Sequence, residues 1–218
     1  MSDSTVKNQG SGGPAFDAAL VNGAKTSSSA SVTGDGALVL DASASQYLQI
    51  PAFTIGSAGV SFACWFLSKD GKDAHFLDFG NDVNVDVENI VADVKSGKLE
   101  LQMVVDNWYG YDVYCDWLTD AAVVSNVWYH FVWTISPSGL WTVYRNGQLY
   151  GSSQQQYPAV TSRSLNYLGL SGWGGCWSGA MDDFRYYTRV LTQAQVLRLY
   201  SRGTYRLAVS EGFTWIHC

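Results

Sequence analysis

The sequence has little charge. Lys, Arg, Asp and Glu supply 15% of its 218 residues, where an average globular chain has roughly 25%. No apolar run approaches the roughly 18 residues that a membrane span needs. The first fourteen residues are polar and rich in Ser and Gly, without the apolar centre of a secretory signal. There is no Asn-x-Ser/Thr sequon, so any sugar is expected as a ligand and not as an attachment. The net charge of −6 argues against an electrostatic nucleic-acid binder. The four cysteines have neither CxxC nor zinc-knuckle spacing. Cys64, inside the run Phe62–Phe66, reads as a buried thiol. Cys115 and Cys176 are candidates for a bridge outside the cytosol, and Cys218 for an intermolecular bond. The three histidines, His75, His130 and His217, are far apart, and no Ser-His-Asp pattern stands out.

What is present is apolar, aromatic and rich in turn residues. Hydrophobic residues make up 47%, with 9 Trp, 13 Tyr and 22 Gly, enough to build a core. The charge that exists is uneven. Residues 70–120 hold 12 of the 19 acidic residues and 3 of the 13 basic ones, and all seven Arg lie at or after Arg145. An acidic stretch of this kind binds cations, repels polyanions or simply solvates a surface.

From Phe16 onward, short β-like runs alternate with turn residues. Asn146-Gly147 is a type I′ hairpin signal, and Ser96-Gly97 and Ser138-Gly139 mark two more. About a dozen strands with no helix between them predict an all-β, antiparallel two-sheet jelly-roll sandwich. One short C-terminal helix follows Leu191. Thr192 and Gln195 fit a capping box, Leu191 and Val196 a hydrophobic staple, and Gly203 a stop. The expected organisation is a flexible leader over 1–14, a sandwich over 15–202 and a tail over 203–218. Alternation along Asp182–Tyr187 predicts Asp182, Phe184 and Tyr186 on one face.

Several segments, in order, resemble one family. Gly179-Ala-Met-Asp-Asp-Phe-Arg-Tyr-Tyr187, followed by Arg189-Val-Leu and a helix ending in Leu199-Tyr200, resembles the closing signature of the laminin G-like group of the concanavalin A-like lectin/glucanase superfamily. Gly36–Asp41 with Tyr47–Pro51, Val60–Phe66, Trp128–Val132 and Trp141–Gly147 resemble its earlier strands. The resemblance implies the sandwich fold. It leaves function open, because the fold hosts lectins, enzymes and adhesion modules. It also implies a structural Ca²⁺ on Asp182, with Gly36 as a carbonyl donor, a reasonable pairing for a hard cation. The alternative for Asp182 is a turn cap or an arginine partner. Trp65, Trp128, Trp133 and His130 are expected to pack rather than to bind.

Three stretches are candidates for contact. Asp106–Trp117 concentrates aromatics with Asp, and Asp106, Trp108, Tyr109, Tyr111 and Asp112 are the residues expected to meet a sugar: rings stack on its C–H faces while carboxylates take its hydroxyls. Trp173 and Trp177, in a Gly-rich loop, are expected to add to that site. The ladder Asp82–Glu88 puts Asp82, Asn84, Asp86 and Glu88 on one face. Laminarinase-type relatives carry E-x-D-x-x-E on one strand, whereas here the order of the first two acids is exchanged and the last position is Val91, so catalysis is not carried over. The sequence therefore predicts a non-catalytic module that recognises a glycan, with Ca²⁺ as a structural ion, at an extracellular or surface location. The alternative is a structural or adhesion subunit of an extracellular or virion surface assembly held by protein contacts. An oligomer fits either reading, and neither calls for nucleic acid or a membrane span.

Overall fold

The computed structural model describes residues 5–81, 89–106, 112–172 and 175–210; for 105–106, 112–114 and 204–210 it describes the backbone only. In chain order the strands are β1 (Thr5–Val6), β2 (Ala18–Val21), β3 (Lys25–Ser27), β4 (Ala37–Leu40), β5 (Tyr47–Ile50), β6 (Phe53–Thr54), β7 (Val60–Ser68), β8 (Ala74–Gly80) and β9 (Ile90–Lys95). They continue with β10 (Lys98–Asp106), β11 (Asp112–Ala122), β12 (Tyr129–Ile135), β13 (Leu140–Arg145), β14 (Gln148–Gln154), β15 (Ser162–Arg163), β16 (Leu165–Leu168) and β17 (Gly179–Tyr187), and one helix, α1 (Gln193–Ser210). The larger sheet runs β1-β2-β5-β16-β8-β9-β10-β11 and the smaller β14-β13-β12-β7-β17-β4-β3, with β15-β6 a short ribbon. The neighbours pair antiparallel, as in β7–β12 and β9–β10.

The hairpins form where the turn residues placed them. Asn146 and Gly147 have φ of 51° and 77°, Ser96 and Gly97 52° and 69°, and Gly139 80°. These are the left-handed conformations that tight hairpins need. Between the sheets lies an aromatic core in which Phe62, Phe79, Phe131, Trp133 and Trp141 are buried. Trp133 and Trp141 meet edge to face at 4.8 Å, and Phe66 stacks on Phe76 at 4.8 Å.

Strand β7 is apolar on both sides. Phe62, Cys64 and Phe66 enter the core, while Ala63 and Trp65 face outward. That outer surface cannot be left in water, and α1 covers it. The capping box forms: the Thr192 Oγ1 accepts from the Gln195 N–H at 3.4 Å, and Gln195 Oε1 accepts from the Thr192 N–H at 3.0 Å. Leu191, Val196 and Leu199 pack with Ala63 and Val132, and Tyr200 stacks on Trp65 at 5.5 Å. His130 lies under the same cover. Burial, and then the charge of Arg185, hold its imidazole down to about 4.

Four expectations change. The helix does not stop at Gly203 but continues to Ser210, because this glycine serves close approach: a Cβ there would come within 2.4 Å of Trp65 Cζ2. Residues from Thr5 are not a free leader. β1 extends the edge of the larger sheet, and Asp17 accepts from the Asn8 N–H and pairs with Lys7. Cys115 and Cys176 are not bridged, and with the buried Cys64 they are free thiols. Asp182 does not share a face with Phe184. The register against β7 jumps from Asp182–Trp65 to Arg185–Ala63, and Asp183 has φ 48°. This β-bulge adds a residue and resets the alternation.

Gly203→Ala is a test of the β7–α1 seam. On an exposed helix face the exchange would add about 1 kcal/mol of stability. Here the steric conflict is expected to reverse the sign and cost ~1–3 kcal/mol, read as a lower urea midpoint.

Candidate ligand-binding face

Among the described residues no α-helix covers the outer face of the larger sheet, and its register assembles residues far apart in sequence. One cross-strand row runs Gln49, Tyr167, Asp78, Val91, Gln102, Asp116. The next runs His75, Asp93, Glu100, Leu118. Their neighbours along each strand, Leu77, Phe79, Ile90, Ala92, Leu101 and Met103, point into the core. The acidic texture of residues 70–120 thus becomes, in part, one polar floor.

This floor is buried and short of donors. Asp78 is buried, and its carboxylate accepts from Asn89 Nδ2 at 3.1 Å and from the Gly172 N–H at 3.2 Å. Glu100 is buried, with Lys95 Nζ at 3.1 Å and Gln102 Nε2 at 2.8 Å. Directly across the ladder stands Asp93, 5% exposed, with His75 Nε2 3.5 Å from its Oδ2. Burial, then the charge of Glu100, push Asp93 up to about 8. The buried Asp93 carboxyl is therefore held neutral well above the ordinary carboxylate range. Three buried acceptors remain without a hydrogen-bond donor: Asn89 Oδ1, Asp93 Oδ1 and Gln102 Oε1. A buried acceptor left without a donor costs about 1–3 kcal/mol. Beside Asp78, Tyr47 and Tyr167 meet edge to face at 5.3 Å, both half-buried.

The residues expected from the sequence fall differently. The backbones of Asp106 and Asp112 pair directly across the end of β10–β11. Trp108, Tyr109 and Tyr111 lie outside the described residues, as do Trp173 and the ladder Asp82–Glu88. The anchors of the Trp173 loop do reach this face: Gly172 bonds Asp78, and Gly175 passes His75. Trp177, expected in contact with ligand, is a core residue, 1% exposed and packed near Phe76 at 6.4 Å. Sequence reasoning missed His75, Asp78, Asn89, Asp93, Glu100, Gln102, Tyr47 and Tyr167. The signal was the polar alternation of Asp93–Lys95 and Glu100–Gln102 against apolar partners, which register alone joins into a site.

Asp182 acts as a clamp. Its Oδ2 accepts from the Val32 and Thr33 N–H groups at 2.7 and 2.6 Å, and its Oδ1 from the Asp183 N–H at 2.7 Å. Burial raises its pKa while these donors oppose the shift. Converging N–H groups suit an anion and repel a cation, and Gly36 sits beside Ser27 at the start of β4. Among the described residues no three acidic, His or Cys side chains gather to hold a metal. The residues present do not fit the calcium site that the resemblance implies.

A two-sheet antiparallel sandwich with one polar outer face is an architecture of binding modules and of enzymes alike. A laminin G-type family model, described as the concanavalin A-like lectin/glucanases superfamily, matches residues 41–197. The chain belongs to this superfamily. No curated protein matches it in sequence. Among solved structures, domain 4 of AbnA, an extracellular arabinanase of Geobacillus stearothermophilus in complex with arabinotriose, aligns at 19% identity over 86% of this chain and 88% of that one, with a TM-score of 0.64. The CBM40 of a Ruminococcus gnavus sialidase, bound to α2,3-sialyllactose, aligns at 14% over 66% and 84%, with a TM-score of 0.52. The binding domain of Paraclostridial Mosquitocidal Protein 1 aligns at 14% over 92% of this chain and 50% of that one, with a TM-score of 0.63. The chain thus spans half of the toxin domain. At these identities the likeness shows the fold. No described helix is long and apolar enough to cross a membrane.

Two outcomes check this site. Asp93 titrates near 3.9 when unfolded and near 8 when folded, so the native state holds a proton that the unfolded chain releases between those values. That contribution to stability is complete below about pH 4 and is lost as pH rises through about 8. Asp93→Asn is expected to flatten this part of the urea midpoint against pH; equal slopes would refute the assignment. Asp182→Ala is expected to cost at least ~2 kcal/mol, whereas Ca²⁺ or EDTA leaves the wild-type melting temperature unchanged.

Proposed function

We propose that the chain is a non-catalytic carbohydrate-binding module whose ligand lies on the outer face of the larger sheet. The observation that carries this reading is the set of buried acceptors without donors, Asn89 Oδ1, Asp93 Oδ1 and Gln102 Oε1, beside the Tyr47–Tyr167 pair. Sugar hydroxyls donate hydrogen bonds, and the C–H faces of a pyranose or furanose ring stack on tyrosine. A neutral glycan supplies both without bringing a negative charge to a floor that holds Asp78 and Glu100.

The carboxyl pair supports binding over hydrolysis. Retaining glycosidases hold two carboxyls about 5–5.5 Å apart, and inverting ones further, with the scissile bond between them. Asp93 and Glu100 instead stand directly opposite each other across one ladder, with no space between them for a glycosidic bond, and Glu100 is taken by Lys95 and Gln102. The oligosaccharides in the AbnA-domain and CBM40 structures make this ligand class a natural first panel. The reading places the protein outside the cell, where polysaccharides and surface glycans are met, and it requires no calcium.

Calorimetric titration with neutral oligosaccharides, arabinotriose among them, and with 3′-sialyllactose tests it. The neutral sugars are expected to bind, with Kd raised about tenfold (~1.4 kcal/mol) by Tyr167→Ala and comparably by Gln102→Leu. Binding that neither change affects, or no binding at millimolar sugar, would overturn the proposal.

A further inference from the structure

On the opposite side of the molecule, the outer face of β17 and the first turns of α1 enclose an open cleft of about 180 Å³. Its walls are arginines from three different segments. After the bulge, Arg185 and Tyr187 face outward on β17. Arg189 comes from the connection to the helix. Gln195, Arg198, Leu199 and Arg202 stand at i, i+3, i+4 and i+7, on one face of α1.

The charge here is not balanced. Asp183 holds Arg185 through two bonds, to Nε at 2.8 Å and Nη2 at 2.6 Å. Arg189 donates from Nη1 to Gln195 Oε1 at 2.8 Å, and its guanidinium stands 5.8 Å from the Tyr187 ring centre. Both are thereby fixed in place by groups that leave part of their donor fork open. Arg198 and Arg202 are exposed and have no ion-pair partner among the described residues. Spaced i,i+4, they repel each other along the helix. The chain has 19 acidic residues, yet among the described residues none lines this cleft, and Asp183 meets only Arg185 of its arginines. A protein of net charge −6 that gathers four of its seven arginines around one opening has a local conflict that an anion would resolve.

We propose that this cleft is a binding site for a tetrahedral oxyanion, a sulfate or phosphate group, taken by Arg198 and Arg202 with Arg185 and Arg189 already set in the wall. A carboxylate has two oxygens and is satisfied by one guanidinium fork. Forks that converge from a strand, a connection and a helix suit a group with three or four acceptor oxygens. Leu191 and Leu199 line the inner wall and keep it apolar, which strengthens the attraction relative to open water. The site is independent of the carbohydrate face: it uses the other sheet and shares no residue with it.

Arg198→Ala/Arg202→Ala is the informative variant, since both side chains are exposed and the helix keeps its apolar contacts. Calorimetric titrations with inorganic sulfate, inorganic phosphate and a sulfated disaccharide, at ionic strength held constant with chloride, separate a free ion from an ester group on a larger ligand. At least one of the three is expected to bind saturably to the wild type and at least tenfold more weakly to the double variant. Melting curves give a second reading. Sulfate stabilises proteins in general through exclusion from their surface, an effect that persists in the variant, whereas chloride screens the Arg–Arg repulsion in the wild type alone, so the chloride curve is the control for screening. A saturable excess rise in melting temperature for the wild type alone is the expected result. Equal curves for the two proteins, or an equal rise with chloride, would overturn the proposal.

Discussion

The two-sided burial of β7 is the constraint from which much of the structure follows. A strand with Phe62, Cys64 and Phe66 on one side and Ala63 and Trp65 on the other has no face to give to water. The core takes one side, and α1 must take the other. Gly203 lets the helix settle onto the Trp65 ring, and the Thr192–Gln195 capping box fixes where it begins. The position of the helix in turn decides what its polar flank faces. That flank meets the last residues of β17, whose outward set is fixed by the bulge at Asp182–Arg185. The arginine cleft is thus a consequence of how one apolar strand is covered.

The larger sheet follows the opposite logic. Its inner face is apolar, but among the described residues no α-helix covers its outer face. The residues there are polar, and several are nevertheless buried with acceptors unpaired. A purely structural face would be expected to satisfy such groups or to expose them. The raised pKa of Asp93, caused by its burial and then by the charge of Glu100 opposite, is the same conflict seen in titration. Local unfavourable chemistry on a rigid sheet is a common mark of a site kept for something other than stability.

How far the sequence carried this picture depends on the range of the interactions involved. Turn chemistry and capping are local, so the Asn146-Gly147 hairpin and the start of α1 were legible as written. The strands β4, β5, β7, β12, β13 and β17 were legible because each resembles a family segment. Faces and partners were less so. Asp182 looked like a neighbour of Phe184 by simple alternation, and one extra residue in the ladder moved it to the other side, where its carboxylate clamps Val32 and Thr33. Gly203 read as a helix stop because glycine usually is one there. Its real task depends on Trp65, a long way back in the chain. Trp177 was drawn into the binding site by its Gly-rich surroundings, but the nearby Phe76 and the core claim it. The floor residues His75, Asp78, Asn89, Asp93, Glu100 and Gln102 were individually unremarkable polar positions, and cross-strand register alone makes them one surface.

The uneven charge noted at the outset is divided between the two outer faces. The acidic rows lie on one side of the sandwich and the arginine cleft on the other, with the hydrophobic core between them. At physiological salt, charges interact strongly over about 8 Å, so a ligand at one face is largely insulated from the charge of the other. An anionic group approaching the molecule is turned away from Asp78, Glu100 and Asp116 and drawn to Arg198 and Arg202. A neutral sugar, the ligand proposed for the acceptor floor, feels neither field and would be selected by donors and ring stacking instead. The same fold can therefore take two ligand chemistries without competition, because the sheet that needs a helix to cover it acquires the basic cleft and the sheet that lacks one keeps the acceptor floor.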